Sequence, residues 1–245
     1  MRSTTVQTGN GRPALTTLVK ALLVCGIVSS LVYVGGEVLA STSREGYSYV
    51  NQAVSELAAI GASTRPWMLA LFSVYNALVV LFAAGVWQAA GGKRTTKAAA
   101  VALVVYAVVG EVTQVFSPMN PRGSGAMTAT DVGHIVLTAV EVLSIVAMII
   151  LASGAGGRGF RVFSILAIVV IMAGGISTGA VSQHMTAAVT STPWAGILER
   201  VNIYGTMLWV LVLGTTLLRA RTGDEAVRPA AVPAIAARSV SNARR

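Results

Sequence analysis

The sequence predicts an all-α, polytopic integral membrane bundle of six transmembrane helices, with a short amphipathic helix in the first outer loop. Three observations carry that expectation. Of 245 residues, 54% are hydrophobic and only 11% charged, whereas a soluble domain carries roughly a quarter charged residues. Six stretches are each long enough to cross a hydrocarbon core about 30 Å thick, which needs roughly 20 apolar residues of helix. Lys and Arg fall on alternate connections between those stretches. The mean hydropathy of +0.72 excludes soluble and fibrous classes, and one cysteine, Cys25, permits no disulfide framework.

The elements follow in order. An N-terminal arm, 1–14, precedes the first span, 15–40. A cleaved signal peptide competes for this segment, but the run exceeds the roughly 7–15 residues of such an apolar core and contains Glu37. The remaining spans are 67–90, 98–117, 131–153, 162–184 and 199–219, separated by Arg65-Pro66, Gly91-Gly92-Lys93-Arg94, Ser117-Pro118 through Gly125, Gly154 through Arg161, and Pro193. Backbone polar groups in lipid must pair within their own segment, so each span is read as a helix. Together 15–219 form one transmembrane domain, and 220–245, rich in Ala, Pro and Arg, is expected to be a disordered basic tail.

In the first connection, 46–61, Val50, Ala53, Val54, Leu57 and Ala58 fall on one side of a helix, with Asn51, Ser55 and Glu56 opposite. That pattern predicts a short amphipathic helix lying at the outer interface over the mouth of the bundle.

Counting Lys and Arg sets the orientation. A cytoplasmic N-terminus puts Arg2, Arg12, Lys20, Lys93, Arg94, Lys97, Arg158, Arg161 and the six Arg from Arg219 onward inside, leaving Arg44, Arg65, Arg122 and Arg200 outside. Both termini are then cytoplasmic, in the cytoplasmic membrane of a bacterium whose Ala- and Arg-rich composition fits high-GC coding. Topology accounts for the net charge of +9, so the basic excess gives no argument for nucleic acid. The expected partners are membrane lipids, with the tail attracted to anionic head groups.

Gly154-Ala155-Gly156-Gly157-Arg158-Gly159 spells a dinucleotide-binding pattern but follows no strand, so it reads as a turn. Gly175 and Gly179 form a G-x-x-x-G, which predicts close helix packing. No hydrolase, nucleotide-binding or cysteine-pair metal motif is present, and no cofactor is expected.

The informative residues are ionisable groups inside the spans, where a charge is costly and normally faces the bundle interior. Asp131, His134, Thr138 and Glu141 share one helical face that descends about 15 Å from the outer surface. Tyr33 and Glu37, Glu111 and Gln114, His184 with Ser177, and Glu199, Asn202 and Thr206 beside Arg200 give other spans polar positions in their outer halves. If these faces converge, they enclose an outward-facing acidic cavity for a lipid or a small polar or cationic ligand. The alternatives are a metal-dependent intramembrane hydrolase built on His134, His184, Asp131 and a Glu, or a structural or accessory protein in which these groups are packing hydrogen bonds.

Tyr47-Ser48, Asn51 and Ser55-Glu56-Leu57 before Gly61 resemble the signature of the six-helix prokaryotic membrane proteins of the domain of unknown function 998 family. Ser117-Pro118-Met119-Asn120-Pro121 followed by Asp131-Val132-Gly133-His134 is similar to the family's approach to its fourth helix. Gly196-Ile197-Leu198-Glu199-Arg200-Val201-Asn202, with Leu208-Trp209 and Leu217-Leu218-Arg219, is similar to its last helix. Asn120 stands where the family usually carries Asp, and Ala58-Ala59-Ile60 stretches the first signature. The resemblance, over about residues 20–219, implies the six-helix fold and favours Ser55, Glu56, His134 and Arg200 as pocket positions; it implies no assigned activity. The candidate ligand residues are therefore Glu141, His134, Asp131, Glu111, His184, Glu199, Arg200, Glu56 and Ser55.

Overall fold

The computed structural model describes residues 16–121, 123–182 and 192–226. Its elements are α1 (Thr17–Ser43), a 3-10 helix (Val54–Ala58), α2 (Arg65–Ala89), α3 (Arg94–Phe116), α4 (Ala129–Ala152), α5 (Arg158–Ser182) and α6 (Ala195–Ala226). All six α-helices are long and apolar enough to cross a membrane, and no strand occurs among the described residues.

The helices outrun the apolar stretches that predict them. α1 continues to Ser43, α2 starts at Arg65, α3 at Arg94 and α5 at Arg158, while α6 passes Arg219 and ends at Ala226. Leaving hydrocarbon does not end a helix, because Arg and Lys are good helix formers. The ends are set by caps. Thr16 Oγ1 accepts the Val19 N–H at 3.3 Å, Pro66 occupies the first turn of α2, where a missing N–H costs nothing, and Thr128 caps α4 with Asp131 in a reciprocal box. The N-terminal arm and the residues after Ala226 lie outside the described residues.

Sequential helices pair along their lengths, and α1 also packs against α6, giving the ring order α4-α3-α2-α1-α6-α5. α4 and α5 meet only sparsely, so the ring is incompletely closed between them. Without a hydrophobic force between helices in lipid, small residues permit close approach. At the α1–α2 crossing, a Cβ on Gly26 would lie 2.6 Å from the Phe82 ring, and one on Gly85 would lie 2.9 Å from the Leu23 backbone nitrogen. Gly174 of α5 faces the backbone of Leu198 and Asn202 in the same way. The predicted G-x-x-x-G contact is only half realised: Gly175 abuts Asn202, whereas Gly179 has nothing within 4 Å, because it borders a cavity.

The half of the bundle near the α2–α3 and α4–α5 connections is filled by large apolar side chains. Trp209, Phe82, Leu23 and Leu213 are fully buried there, and the Trp209 indole N–H donates to Ser164 Oγ at 3.1 Å, satisfying the group that makes a buried Trp costly.

The first connection departs from the predicted amphipathic helix. Only Val54–Ala58 is helical, in 3-10 form, and Glu56 is 3% exposed where the helical pattern placed it on the polar side. Gly46 and Gly61 bound the segment with φ of 72° and 78°, outside the helical region. The intervening carbonyls are also taken: Tyr47 Oη donates to Gln52 O at 3.0 Å and Ala53 O at 2.9 Å, and Arg200 Nη1 donates to Tyr49 O at 2.8 Å. A carbonyl held by a side chain is less available to the helical ladder. The segment instead forms a strap across one end of the bundle, joined to α6 by Ile197 N donating to Val50 O at 3.2 Å and to the α3–α4 connection by Ile60 N donating to Met119 O at 2.9 Å.

Candidate functional site

Beneath the strap lies a two-lobed cavity. The inner lobe, ≈ 120 Å³, sits between α1, α2, α3, α4 and α6, with Tyr33, Phe72, Tyr75 and Tyr106 in its walls and Val54 and Ser55 of the 3-10 helix at its edge. The second lobe, ≈ 240 Å³, lies between α4 and the α5–α6 pair. Ser55, His134, Thr138, Val142, Glu199 and Asn202 line both, so the two lobes lie side by side.

Five predicted residues reach this space. Glu141 projects from α4 at the level of Gly110, where a Cβ would be 3.7 Å from Glu141 Oε2, an ordinary contact. Thr113 Oγ1 donates to Glu141 Oε1 at 2.8 Å. Glu199, near the start of α6, lines both lobes and accepts the Val54 N–H at Oε2, fixing the 3-10 helix in place. His134 is buried and its Nδ1 lies 2.9 Å from the Ser117 carbonyl. A carbonyl only accepts, so Nδ1 carries the proton, leaving Nε2 for an occupant of the cavity. Ser55 lines both lobes, and Glu56 the second lobe alone. The Glu56 carboxylate accepts Ala53 N–H at 3.0 Å and Gln52 Nε2 at 3.0 Å, so its position is set by the strap itself.

Three predicted residues hold the walls instead. Glu111 is absent from both linings; it accepts Ser73 Oγ at 2.6 Å and Asn76 Nδ2 at 3.0 Å, and Asn76 in turn faces the inner lobe. Asp131 closes the N-terminus of α4, accepting Thr128 N–H at 2.9 Å, Asn120 N–H at 2.9 Å and Asn120 Nδ2 at 2.9 Å. An amide at position 120 donates directly to that carboxylate, which a second carboxylate could not do unless protonated. Arg200 turns toward the strap and pairs with Glu37 at 2.5 Å, the two being 3% and 0% exposed. Tyr204 Oη at 2.5 Å and Ser41 Oγ at 2.6 Å complete the Glu37 carboxylate, and the Arg200 guanidinium stacks 3.5 Å from the centroid of the Tyr49 ring. Tyr47 Oη accepts from Arg200 at 3.0 Å; burial pushes its phenol above the ordinary range, partly offset by that guanidinium. The remaining candidate, His184, lies outside the described residues.

The family model for a protein of unknown function, DUF998, matches residues 27–216. The chain belongs to this family. No curated protein and no solved structure shows a match. Within the DUF998 match, the residues of the first signature divide by role: Tyr47 ties the strap to α6 through Arg200, Asn51 ties it to the turn before α6 through Thr192 Oγ1 at 2.8 Å and Trp194 N at 3.1 Å, whereas Ser55 and Glu56 face the cavity.

Tyr75, Asn76 and Tyr106 are lining residues that the sequence reading did not single out. Tyr75 and Tyr106 join their hydroxyls at 3.0 Å across α2 and α3. Their signal was available: phenols and an amide in apolar runs, away from head groups, require partners just as carboxylates do. Among the described residues, no group of three or more His, Cys, Asp and Glu is placed to hold a metal ion. Asp131, one of the acids named for a hydrolytic centre, is engaged in its helix cap.

Proposed function

We propose that this DUF998 protein binds a small cationic or hydrogen-bond-donating ligand in the cavity, in a bacterial cytoplasmic membrane, with both termini cytoplasmic and the cavity facing outward. The observation that carries the reading is electrostatic. Glu141 and Glu199 border one cavity, His134 offers it a ring nitrogen, and no Lys or Arg lines either lobe among the described residues. Carboxylates gathered in a lining that holds no Lys or Arg favour a mobile cation. The orientation rests on the distribution of Lys and Arg.

A purified-protein thermal shift with ethanolamine and spermidine tests the ligand. Each raises the melting midpoint of the wild type, and Glu141→Gln weakens the response about tenfold or more, as expected for loss of a hydrogen bond to a charged group. The amide oxygen still accepts from Thr113, so the variant folds. A wild-type midpoint unmoved by cations favours the structural role, in which the intramembrane acids serve only packing. Orientation is tested separately: a fluorescent-protein fusion after Arg245 lights up and an alkaline phosphatase fusion at the same point is inactive, and the reverse pattern turns the cavity to the cytoplasm.

A further inference from the structure

We propose that the ligand is an amphiphile with an amine head, held between Glu141 and Glu199, whose alkyl tail leaves sideways through the gap between α4 and α5 into the bilayer. This rests on the cavity reading above and names its substrate class.

The cavity changes character along its length. The inner lobe carries Glu141, Asn76, Thr206 and the paired tyrosine hydroxyls. The second lobe is walled largely by Met119, Ile135, Gly175, Gly179 and Ala195, with Glu56, Thr178 and Thr192 as polar groups of its own and Ser55, His134, Thr138, Glu199 and Asn202 where it adjoins the first. A ligand that was only a small water-soluble ion would leave this apolar half unfilled. The gap coincides with the weakest seam of the ring among the described residues: α4 packs along α3 and α5 along α6, while α4 and α5 touch little. On that seam Ile135 is 57% exposed, and a side chain on Gly179 would meet nothing within 4 Å.

Position within the spans supports the same assignment. The second lobe extends along α4 from His134 to Val142 and along α5 from Gly175 to Gly179, inside segments apolar enough for hydrocarbon. A chain passing through this seam meets acyl tails, which solvate it at no cost relative to the protein wall. The head stays at the junction of the lobes, where Glu199 and the His134 ring are shared by both. An ammonium supplies three donors and no acceptor, matching a site made of carboxylates, an imidazole acceptor and the Asn202 amide.

The test uses the full chain in lipid nanodiscs and a hexadecylamine carrying a mid-chain diazirine, photolysed and mapped by mass spectrometry. Labels are expected on Ile135, Val142 and Thr178, displaced by unlabelled hexadecylamine but neither by palmitate, which has the same tail and the opposite charge, nor by ethanolamine, which has the head alone. Gly179→Phe lowers hexadecylamine affinity about tenfold, the effect of excluding roughly two methylenes, while melting at the wild-type temperature. Displacement by palmitate as effective as by the amine overturns the choice of a cationic head. Displacement by ethanolamine at equal concentration, or labels confined to other helices, overturns the lateral exit and leaves the cavity reading standing. Absence of displaceable labelling, together with no thermal shift by any cation, overturns both.

Discussion

Glu37→Ala is expected to destabilise the protein by about 3–5 kcal/mol, as for breaking a buried ion pair. Its carboxylate is fully buried and holds three partners, Arg200 and Tyr204 of α6 and Ser41 of α1, and Arg200 in turn bonds Tyr47 of the strap. Removing it leaves a guanidinium inside the protein with no counter-charge. Arg200→Ala strands the carboxylate by the same logic and costs a similar amount. The double variant Glu37→Ala/Arg200→Ala should lose less than the sum of the two, since much of each single loss is a stranded charge. Arg200→Lys should not restore the wild type, because one guanidinium serves Glu37, Tyr47 Oη at 3.0 Å, Tyr49 O at 2.8 Å and Gly196 O at 3.0 Å at once, and an ammonium cannot span that fan. Thermal unfolding followed by thiol labelling of Cys25, the sole cysteine, measures all four variants. Additive losses in the double variant would show that the pair is not coupled.

Gly85→Val should strongly damage the α1–α2 crossing. A Cβ at position 85 would lie 2.9 Å from the Leu23 nitrogen and 3.0 Å from the Leu22 carbonyl carbon, and a backbone cannot rotate aside as a side chain can. α1 and α2 must separate, at a cost of about 1–3 kcal/mol or more. Gly35→Ala on the same helix pair is the control: nothing lies within 4 Å of a Cβ there, so gaining helix propensity should stabilise by roughly 0.5–1 kcal/mol. Unfolding midpoints in one detergent compare the two, and a Gly85→Val protein as stable as the wild type would show that the α1–α2 crossing tolerates widening.

The two sets of residues show where sequence reasoning has purchase. Spacing along one helix puts His134, Thr138 and Glu141 on a shared face, and all three line the cavity. Asp131 begins the same stripe yet turns into a helix cap, because an acid three residues after Thr128 has unsatisfied amides beside it. Glu56 went the other way. A helical wheel placed it outside, but the connection could not sustain an α-helix once its carbonyls were claimed by Tyr47 and Arg200, and the tighter 3-10 turn rotated it inward.

Six apolar stretches, their helical state and their punctuation follow from the sequence alone, because a bilayer forces each span to satisfy its backbone internally whatever its neighbours do. Which acids meet is different in kind. Glu37 and Arg200 are distant in sequence and are joined only when α1 lies against α6, and Glu141 and Glu199 share a cavity only because α3, α4 and α6 converge beneath the strap. Periodicity fixes a side chain's direction around its own helix axis; the partner it meets is set by glycine crossings and by the loosely closed seam between α4 and α5, which no one-dimensional pattern records.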